Sequence, residues 1–465
     1  MTRTPTDSLI RCAAAGLMMS VLLLSTSLNA GDWLRFRGPN GTGVSSDTKV
    51  PTAWSDTQNL KWKCELPGPG LSCPIVVGDK VFVTSYTGYG TSRENPGKME
   101  DLQRHLICVD RNSGKILWNS TIAAVQPEDP YEGFMQEHGY ASHTPTSDGE
   151  RVYAFFGKSG VAAFDLDGKQ LWQTSVGAES GIRNWGTASS PILYEDLVIV
   201  PATAESEALV ALNKDTGSEV WRKEAAGFSG AWGTPLLVNT GERDELVFAV
   251  AGEIWSFNPE DGKLLWYAQG PESDYVTTSA VAGDGVVYFV GGRPGGGVAV
   301  RLGGTGDVTK THVVWSGSVQ GGIPTPVLHN GYLFAFSGDR VTCVSAETGK
   351  SAGQARLGAG GGGDAAPAEG RRPGGGGPPP GGFGGRGGRG GMGGQSYASP
   401  IVVNGKIYLP TRNGTVYIVQ ADPQLKVIAQ NRFNSDTSEF HATPAVSNGQ
   451  LFLRSNKALY CIADE

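Results

Sequence analysis

The chain has 465 residues, including 69 glycines and 27 prolines, and its formal net charge at pH 7 is −7. This mild acidity provides no positive field that would attract nucleic acid, so we expect no nucleic-acid partner. The abundance of glycine and proline, with few long amphipathic segments, predicts an all-β chain rich in turns.

Residues 1–30 have the pattern of a secretory signal peptide. Arg3 and Arg11 flank the start, residues 13–24 form an apolar run too short to span a bilayer, and Ala30 is a small residue at the expected cleavage point. We therefore expect a mature chain from Gly31 onward, with no transmembrane span after cleavage and a periplasmic or secreted location. Because Leu28 is not ideal three residues before the cut, an uncleaved anchor is the alternative.

A glycine followed four residues later by a tryptophan recurs along the chain with a spacing of roughly 50 residues. Each copy follows an apolar strand, an Asp or Asn, and a turn. The clearest copies are Gly114 to Trp118, Gly168 to Trp172, Gly217 to Trp221 and Gly262 to Trp266. Repeats of this length with strand patterning predict a β-propeller, in which each blade has four strands.

Each repeat begins with a small residue and a proline, and eight such positions occur: Pro74, Pro145, Pro191, Pro235, Ala280 in the proline position, Pro326, Pro400 and Pro444. The eighth unit has no Trp strand of its own, whereas an unassigned Trp strand lies near the N-terminus at residues 59–63. Placing that strand at the outside of the last blade closes the ring and removes unpaired edges. The sequence therefore predicts one domain over residues 31–465, an eight-bladed propeller with four-stranded blades.

Three segments interrupt the period. Residues 86–104 lengthen a hairpin of the first blade, and residues 123–138 lengthen the link to the second, where loops commonly carry function. Residues 357–395 consist almost entirely of Gly and Pro with four arginines, and they cannot bury enough apolar surface to become ordered. We predict a disordered insert there and interpret it as a solvated linker rather than an RNA-binding segment.

Five cysteines follow the predicted signal peptide. Cys108, Cys343 and Cys461 occupy a repeat position that other units fill with alanine, so we interpret them as small buried core residues rather than redox groups. Cys64 and Cys73 flank one turn, and the sequence leaves their pairing open.

The sequence gives only weak signals for a metal site or a catalytic site. Turn aspartates such as Asp110 and Asp165 stand where an Asp side chain bonds the backbone two residues on, so we interpret them as structural. His138 and His143 are the only close histidine pair, and their interval is not that of a zinc site. We therefore predict no metal site and assign no catalytic residue.

The position three residues before each unit's proline is expected to face the mouth of the central channel, because the first strand of a blade lines it. These positions are Leu71, Ser142, Ala188, Trp232, Thr277, Ile323, Tyr397 and His441. Trp185 and Tyr140 lie just upstream. Trp232, Tyr397, His441, Trp185 and Tyr140 are the candidate cofactor or ligand site, because their rings could stack a planar molecule. The interpretation that we favour is apolar packing that plugs the channel.

The repeat pattern A-x-(D/N)-x-x-(T/S)-G-K-x-x-W is nearly complete from Cys108 to Trp118 and from Ala211 to Trp221. In this respect the chain resembles the PQQ-type β-propellers, which include the quinoprotein dehydrogenases and the outer-membrane assembly scaffold BamB. The strings WLRFRGPNGTG and GYASHTPTSDGERVY are further similar to secreted planctomycete members. The resemblance extends over residues 31–465.

The resemblance implies that each repeat Trp packs against the turn of the next blade. The tryptophans in that position are Trp62, Trp118, Trp172, Trp221, Trp266 and Trp315. The sixth and seventh units have Gly353 and Ala429 near this place, so we expect that part of the ring to be held less tightly.

The resemblance also implies what a quinoprotein dehydrogenase would need: adjacent cysteines beneath the cofactor, calcium held by Glu and Asn, an Asp that takes part in catalysis, and often a C-x-x-C-H haem site. The chain has no adjacent cysteines and no C-x-x-C-H motif. We therefore predict a non-catalytic scaffold, a monomer that binds other envelope or extracellular proteins through its channel-mouth loops and needs no cofactor. The alternatives are a PQQ-dependent oxidoreductase that uses the same mouth, and binding of a carbohydrate or small ligand without chemistry.

Overall fold

A computed structural model of the chain describes residues 31–291, 295–358 and 396–464. These residues form eight sheets arranged as propeller blades, so the predicted all-β, eight-bladed fold is confirmed. The predicted signal peptide lies outside the described residues, as does the predicted insert except for Leu357 and Gly358. Leu357 is buried in the apolar core shared by blades 6 and 7.

Blades 1 to 4 are each built from four antiparallel strands that run outward from the channel. Blade 1 comprises Ile75–Val77, Lys80–Thr87, Gln103–Asp110 and Ile116–Ala123. Blade 2 comprises Thr146–Ser147, Arg151–Phe155, Val161–Asp165 and Gln170–Thr174. Blade 3 comprises Ile192–Tyr194, Leu197–Ala202, Ala208–Asn213 and Glu219–Glu224. Blade 4 comprises Leu236–Asn239, Asp244–Val250, Glu253–Phe257 and Leu264–Gln269.

Blades 5 to 8 follow the same plan. Blade 5 comprises Val281–Gly283, Val286–Gly291, Gly296–Arg301 and Val313–Gly317. Blade 6 comprises Val327–His329, Tyr332–Ser337, Arg340–Ser345 and Ser351–Arg356. Blade 7 comprises Ile401–Val403, Lys406–Pro410, Val416–Gln420 and Val427–Asn431. Blade 8 takes three strands from the C-terminal end, Ala445–Ser447, Gln450–Arg454 and Ala458–Ile462.

The fourth strand of blade 8 comes from the N-terminal end of the chain. Leu60–Glu65 pairs antiparallel with Ala458–Ile462, with Trp62 opposite Cys461. Ring closure by an N-terminal strand is therefore confirmed, and it covers an edge that would otherwise be free to pair with another chain.

In the part of the chain that the structure describes, helices are short. The α-helices are Met135–His138 and Thr309–His312, and the 3₁₀ turns are Met99–Asp101, Gly157–Ser159, Ile182–Asn184 and Ala226–Phe228. Among the residues that the structure describes, no helix combines the length and apolar character needed to cross a membrane.

Five of the six repeat tryptophans couple one blade to the next through the same contact. The indole Nε1 donates a hydrogen bond of 2.8–3.1 Å to a carbonyl in the next blade's turn, as seen for Trp62, Trp118, Trp172, Trp221 and Trp315. The ring also lies flat on the turn glycine. A Cβ built on Gly262, for example, would stand 2.7 Å from the Trp221 ring, so this turn requires glycine.

Trp266 departs from this pattern. It is fully buried, and its Nε1 donates to the Glu245 carboxylate of its own blade at 2.7 Å. Blades 4 and 5 are joined instead by the short strand Gly306–Asp307, which pairs in parallel with Trp266 and Tyr267. Trp266 thus makes no hydrogen bond to a turn of the next blade, but it lies in the apolar core that blades 4 and 5 share.

The junctions without a repeat Trp are filled in two other ways. Gly353 lets the Pro423 carbonyl of blade 7 approach blade 6, since a Cβ on Gly353 would lie 2.1 Å from that oxygen. Next to blade 8, Trp54 is buried in the core, and its backbone N–H donates to the Asn431 side chain at 3.0 Å.

Candidate functional site

A cavity of about 330 Å³ lies on the propeller axis, and all eight positions predicted to face the channel mouth line it. Its wall therefore includes Trp232, Tyr397 and His441, together with Trp185 from the link between blades 2 and 3. Tyr140 is not among the lining residues.

Tyr140 belongs to a separate tyrosine cluster. Its ring lies 5.4 Å from that of Tyr86 and 5.8 Å from that of Tyr89, and its hydroxyl donates to the Asp129 carbonyl at 2.7 Å. It supports the loop that precedes the mouth and does not face the cavity.

Aromatic rings form a roof over the cavity. The Phe134 and Trp185 centroids are 4.8 Å apart, those of Trp185 and Trp232 are 5.4 Å apart, and Tyr275 lies edge-on to both tryptophans. Phe134 comes from the lengthened link between blades 1 and 2, and its ring lies 6.2 Å from Tyr397 of blade 7. This link therefore spans part of the mouth. Sequence reasoning flagged the link as functional surface but did not single out Phe134 or Tyr275.

His441 and Tyr397 present polar atoms without partners. His441 Nε2 lies 2.9 Å from Glu439 Oε2, whereas His441 Nδ1 and Tyr397 Oη have no hydrogen-bond partner among the described residues. Burial lowers the pKa of His441 in spite of the neighbouring Glu439, so the imidazole is neutral near pH 7. With Nε2–H assigned to the Glu439 bond, Nδ1 is left as an acceptor.

Ion pairs connect Glu439, the partner of His441, to the link between blades 1 and 2, which carries Phe134. Arg412 contacts Glu439 and Glu137 at 2.7 Å each, and Arg93 contacts Glu137 at 2.8 Å. Hydrogen bonds from His441 and Arg412 lower the pKa of Glu439 to about 2, so its carboxylate stays ionised and fixes the imidazole.

The opposite end of the channel is crossed by residues 33–45, which we call the floor. Trp33 pairs with the inner strand of blade 1, the Leu34 carbonyl accepts a hydrogen bond from blade 2, and Val44–Ser45 run parallel to the inner strand of blade 7. Phe36 lies between these contacts and lines the cavity. The cavity is thus closed below and framed by loops above.

The floor is held by one buried arginine. Arg37 is 1% exposed, and its guanidinium donates to the carbonyls of Thr325, Pro326 and Pro400 at 3.2, 2.8 and 3.5 Å and to two carbonyls of the floor itself. Burial lowers the pKa of Arg37 to about 9, so it is still charged at neutral pH. No carboxylate of the described residues forms an ion pair with it.

The five cysteines among the described residues are all free thiols. Cys64 and Cys73 are both buried and unpaired, so the disulfide that the sequence left open does not form in this structure. Burial raises the pKa of Cys108, Cys343 and Cys461 to about 12, which agrees with their interpretation as core residues.

The turn aspartates Asp110 and Asp165 accept hydrogen bonds from the backbone of their own turns. Asp110 Oδ1 accepts from the backbone N–H groups of Asn112 and Ser113 at 3.1 and 2.7 Å. In the described part of the chain, no three His, Cys, Asp or Glu side chains come together in a way that could hold a metal ion.

Comparison with known proteins identifies the family. A family model described as "Outer membrane protein assembly factor BamB" matches residues 99–224 and 202–356, which together cover more than half of the chain. The chain belongs to this BamB-like family. Its fold agrees, because BamB from Moraxella catarrhalis superposes with a TM-score of 0.56 at 12% identity over 87% of this chain and 99% of BamB. A europium-containing methanol dehydrogenase superposes with a TM-score of 0.63 at 11% identity, over 93% of this chain and 98% of that one.

Curated relatives of this BamB-like chain include dehydrogenases. The quinoprotein alcohol dehydrogenase PedH of Pseudomonas putida is 36% identical over 148 residues, or 29% of this chain and 24% of PedH. A polyvinylalcohol dehydrogenase of a Pseudomonas species is 26% identical over 261 residues, or 46% of this chain and 36% of that enzyme. The chain thus spans between about a quarter and a third of the length of these relatives. The matches place it among PQQ-type propellers without deciding between scaffold and enzyme.

In this BamB-like propeller, a buried cluster of charged side chains anchors the link between blades 1 and 2 (residues 123–138), which carries Phe134. Arg104 pairs with Glu128, and Lys158 pairs with Asp129 at 2.8 Å. Glu205 is 2% exposed beside them, and burial, with the nearby carboxylates, raises its pKa to about 8 from a usual 4.5.

We expect Glu205→Gln to stabilise the protein more at pH 8 than at pH 5. Folded Glu205 retains a proton that the unfolded chain releases above about pH 4.5, so wild-type stability falls as pH rises toward 8, and the glutamine variant escapes that loss. Melting temperatures of both proteins at the two pH values measure the effect. An equal difference at both pH values would contradict the prediction.

Proposed function

We propose that this BamB-like propeller binds a small planar molecule in its channel cavity without carrying out chemistry on it. The observation that carries the proposal is the aromatic-walled cavity, because two of its lining residues, His441 and Tyr397, each have a buried polar atom (Nδ1 and Oη) without a partner among the described residues. Buried polar atoms in native proteins nearly always have partners, so two such atoms in the lining residues of one cavity favour a bound molecule there. The volume of about 330 Å³ is within the range of small-molecule sites.

The quinone PQQ is a candidate occupant. Its fused rings match the walls formed by Trp185, Trp232 and Tyr275, and His441 would bond its edge. When bound, such a quinone supplies two-electron oxidation of an alcohol. Among the described residues, however, the cavity lining contains no Asp or Glu. This donor set supports binding more strongly than a dehydrogenase reaction.

A second function, as an interaction scaffold, is favoured by the outer strands. Blades 1 to 4 each expose a large apolar side chain beside the repeat Trp: Leu117, Leu171, Val220 and Leu264 are 41–53% exposed. The outermost strands of blades 1 to 3 also end their sheets, so a partner's strand can be added to their hydrogen-bonding edges. Together with the family's description as an assembly factor, this supports a periplasmic or secreted monomer that binds envelope or extracellular proteins.

The test is a titration of the full-length protein with PQQ and with 2-naphthoate, followed by tryptophan fluorescence. We expect saturable quenching at micromolar concentrations, and we expect Trp232→Ala to abolish it by removing a stacking face. Trp255→Phe, which changes a tryptophan outside the cavity, should leave binding unchanged. Absence of quenching by both probes up to about 1 mM, equivalent to about −4 kcal/mol, would overturn the proposal. Reduction of an artificial electron acceptor by ethanol with PQQ present would favour the dehydrogenase instead.

A further inference from the structure

Eight side chains form a closed ring of hydrogen bonds around the channel, which we call the axial ring. In each blade the residue just before the proline position donates its backbone N–H to the side chain of its counterpart in the next blade, at 2.8–3.2 Å. The members are Cys73, Thr144, Ser190, Thr234, Ser279, Thr325, Ser399 and Thr443. All eight also line the cavity.

The side chains of the axial ring have hydrogen-bond donors that are not used within the described residues. Each hydroxyl already accepts one backbone N–H, but its own proton finds no acceptor among the described residues. A serine or threonine hydroxyl both accepts and donates, and its proton rotates to meet an acceptor. The ring therefore offers seven O–H groups and the Cys73 S–H to whatever occupies the cavity.

Two buried arginines lie next to the axial ring. Arg37 and Arg454 are each 1% exposed, and each donates only to carbonyl or hydroxyl oxygens among the described residues. Arg37 binds the carbonyl of Thr325, which is itself a ring member. No Asp or Glu of the described residues lines the cavity, and a low-dielectric wall screens the two cations little.

We propose that the axial ring is a subsite for an anionic group of the ligand, namely a carboxylate, seated on the arc of Ser279, Thr325 and Ser399 next to Arg37. The inference rests on the proposed function and narrows it to planar aromatic carboxylates, whose ring would lie toward Trp185 and Trp232. Hydrogen bonds to a charged acceptor are the stronger kind, and several donors on one arc match the two oxygens of a carboxylate.

A matched pair of probes tests this in the full chain. The probes 2-naphthoate and 2-naphthamide share an aromatic frame and differ in charge, so we expect the carboxylate to bind about ten-fold or more tightly, which corresponds to about 1.4 kcal/mol. Equal affinities would overturn the ring subsite and leave small-ligand binding standing. No binding of either probe would overturn both proposals.

Substitutions in the ring locate the carboxylate. Thr325→Val removes one hydroxyl of the arc and should weaken naphthoate binding about five-fold or more, by losing a hydrogen bond to a charged group. Thr325→Ser keeps the hydroxyl and should retain affinity. Thr144→Val loses the same kind of inter-blade hydrogen bond away from Arg37, so it controls for a general effect on the ring. Naphthamide binding within about two-fold of wild type shows that the cavity is intact. Equal losses in the Thr325→Val and Thr144→Val variants would contradict the proposed arc.

Discussion

Replacing Trp221 with alanine is expected to lower the free energy of unfolding by about 3–5 kcal/mol, the usual cost of deleting a large buried aromatic side chain. The indole lies flat on Gly262 of the next blade and donates to the Pro259 carbonyl at 3.1 Å. Its loss would leave a cavity and an unpaired carbonyl at the junction of blades 3 and 4. Urea unfolding followed by circular dichroism measures the change.

Two control variants separate the contributions at this junction. Trp221→Phe keeps most of the packing and loses the hydrogen bond, so we expect a cost of about 1–2 kcal/mol. Val220→Ala alters a neighbour that is 53% exposed, and we expect a change within about 0.5 kcal/mol. An unfolding midpoint of Trp221→Ala equal to that of wild type would show that blade docking does not depend on this side chain.

The parts of the fold that repeat could be predicted from the sequence. The pre-proline position recurs in each unit and the glycine-to-tryptophan frame recurs in several, so local patterns that repeat along the chain predict the blades, their number and the residues at the mouth. Ring closure by Leu60–Glu65 followed from the same pattern, because the last unit lacked a strand that the N-terminal end could provide. The axial ring also had a signal, since a Ser, Thr or Cys precedes every proline position, although its hydrogen-bonding role was not inferred.

The parts of the site that do not repeat could not be predicted. The floor and the roof come from single segments whose positions depend on contacts across the ring, such as Arg37 with the Pro400 carbonyl 363 residues away. No period marks such contacts. Tyr140 illustrates the opposite error, because its nearness in sequence to Ser142 suggested the mouth, whereas its ring packs among other tyrosines.

Arg37→Met is expected to destabilise the protein by about 3–5 kcal/mol and to loosen the floor. The side chain donates to five carbonyls, three of them in blades 6 and 7, and each buried carbonyl left without a donor costs about 1–3 kcal/mol before relaxation. Methionine fills similar volume, so the loss reports the hydrogen bonds rather than a void. Thermal unfolding gives the stability change, and proteolysis near residues 33–45 reports release of the floor.

Arg35→Met is the matched control, two residues away in the same segment. Arg35 is half-buried, its Nε has no partner, and burial lowers its pKa to about 10, so its charge is held at a cost. Removing that charge should be neutral or slightly stabilising, because burying an unpaired ion opposes folding. Equal losses in both variants would show that positive charge in the floor, and not the five carbonyl contacts of Arg37, holds the segment in the channel. A loss confined to Arg37→Met would establish Arg37 as the link that ties the N-terminal segment to blades 6 and 7 and so closes the cavity from below.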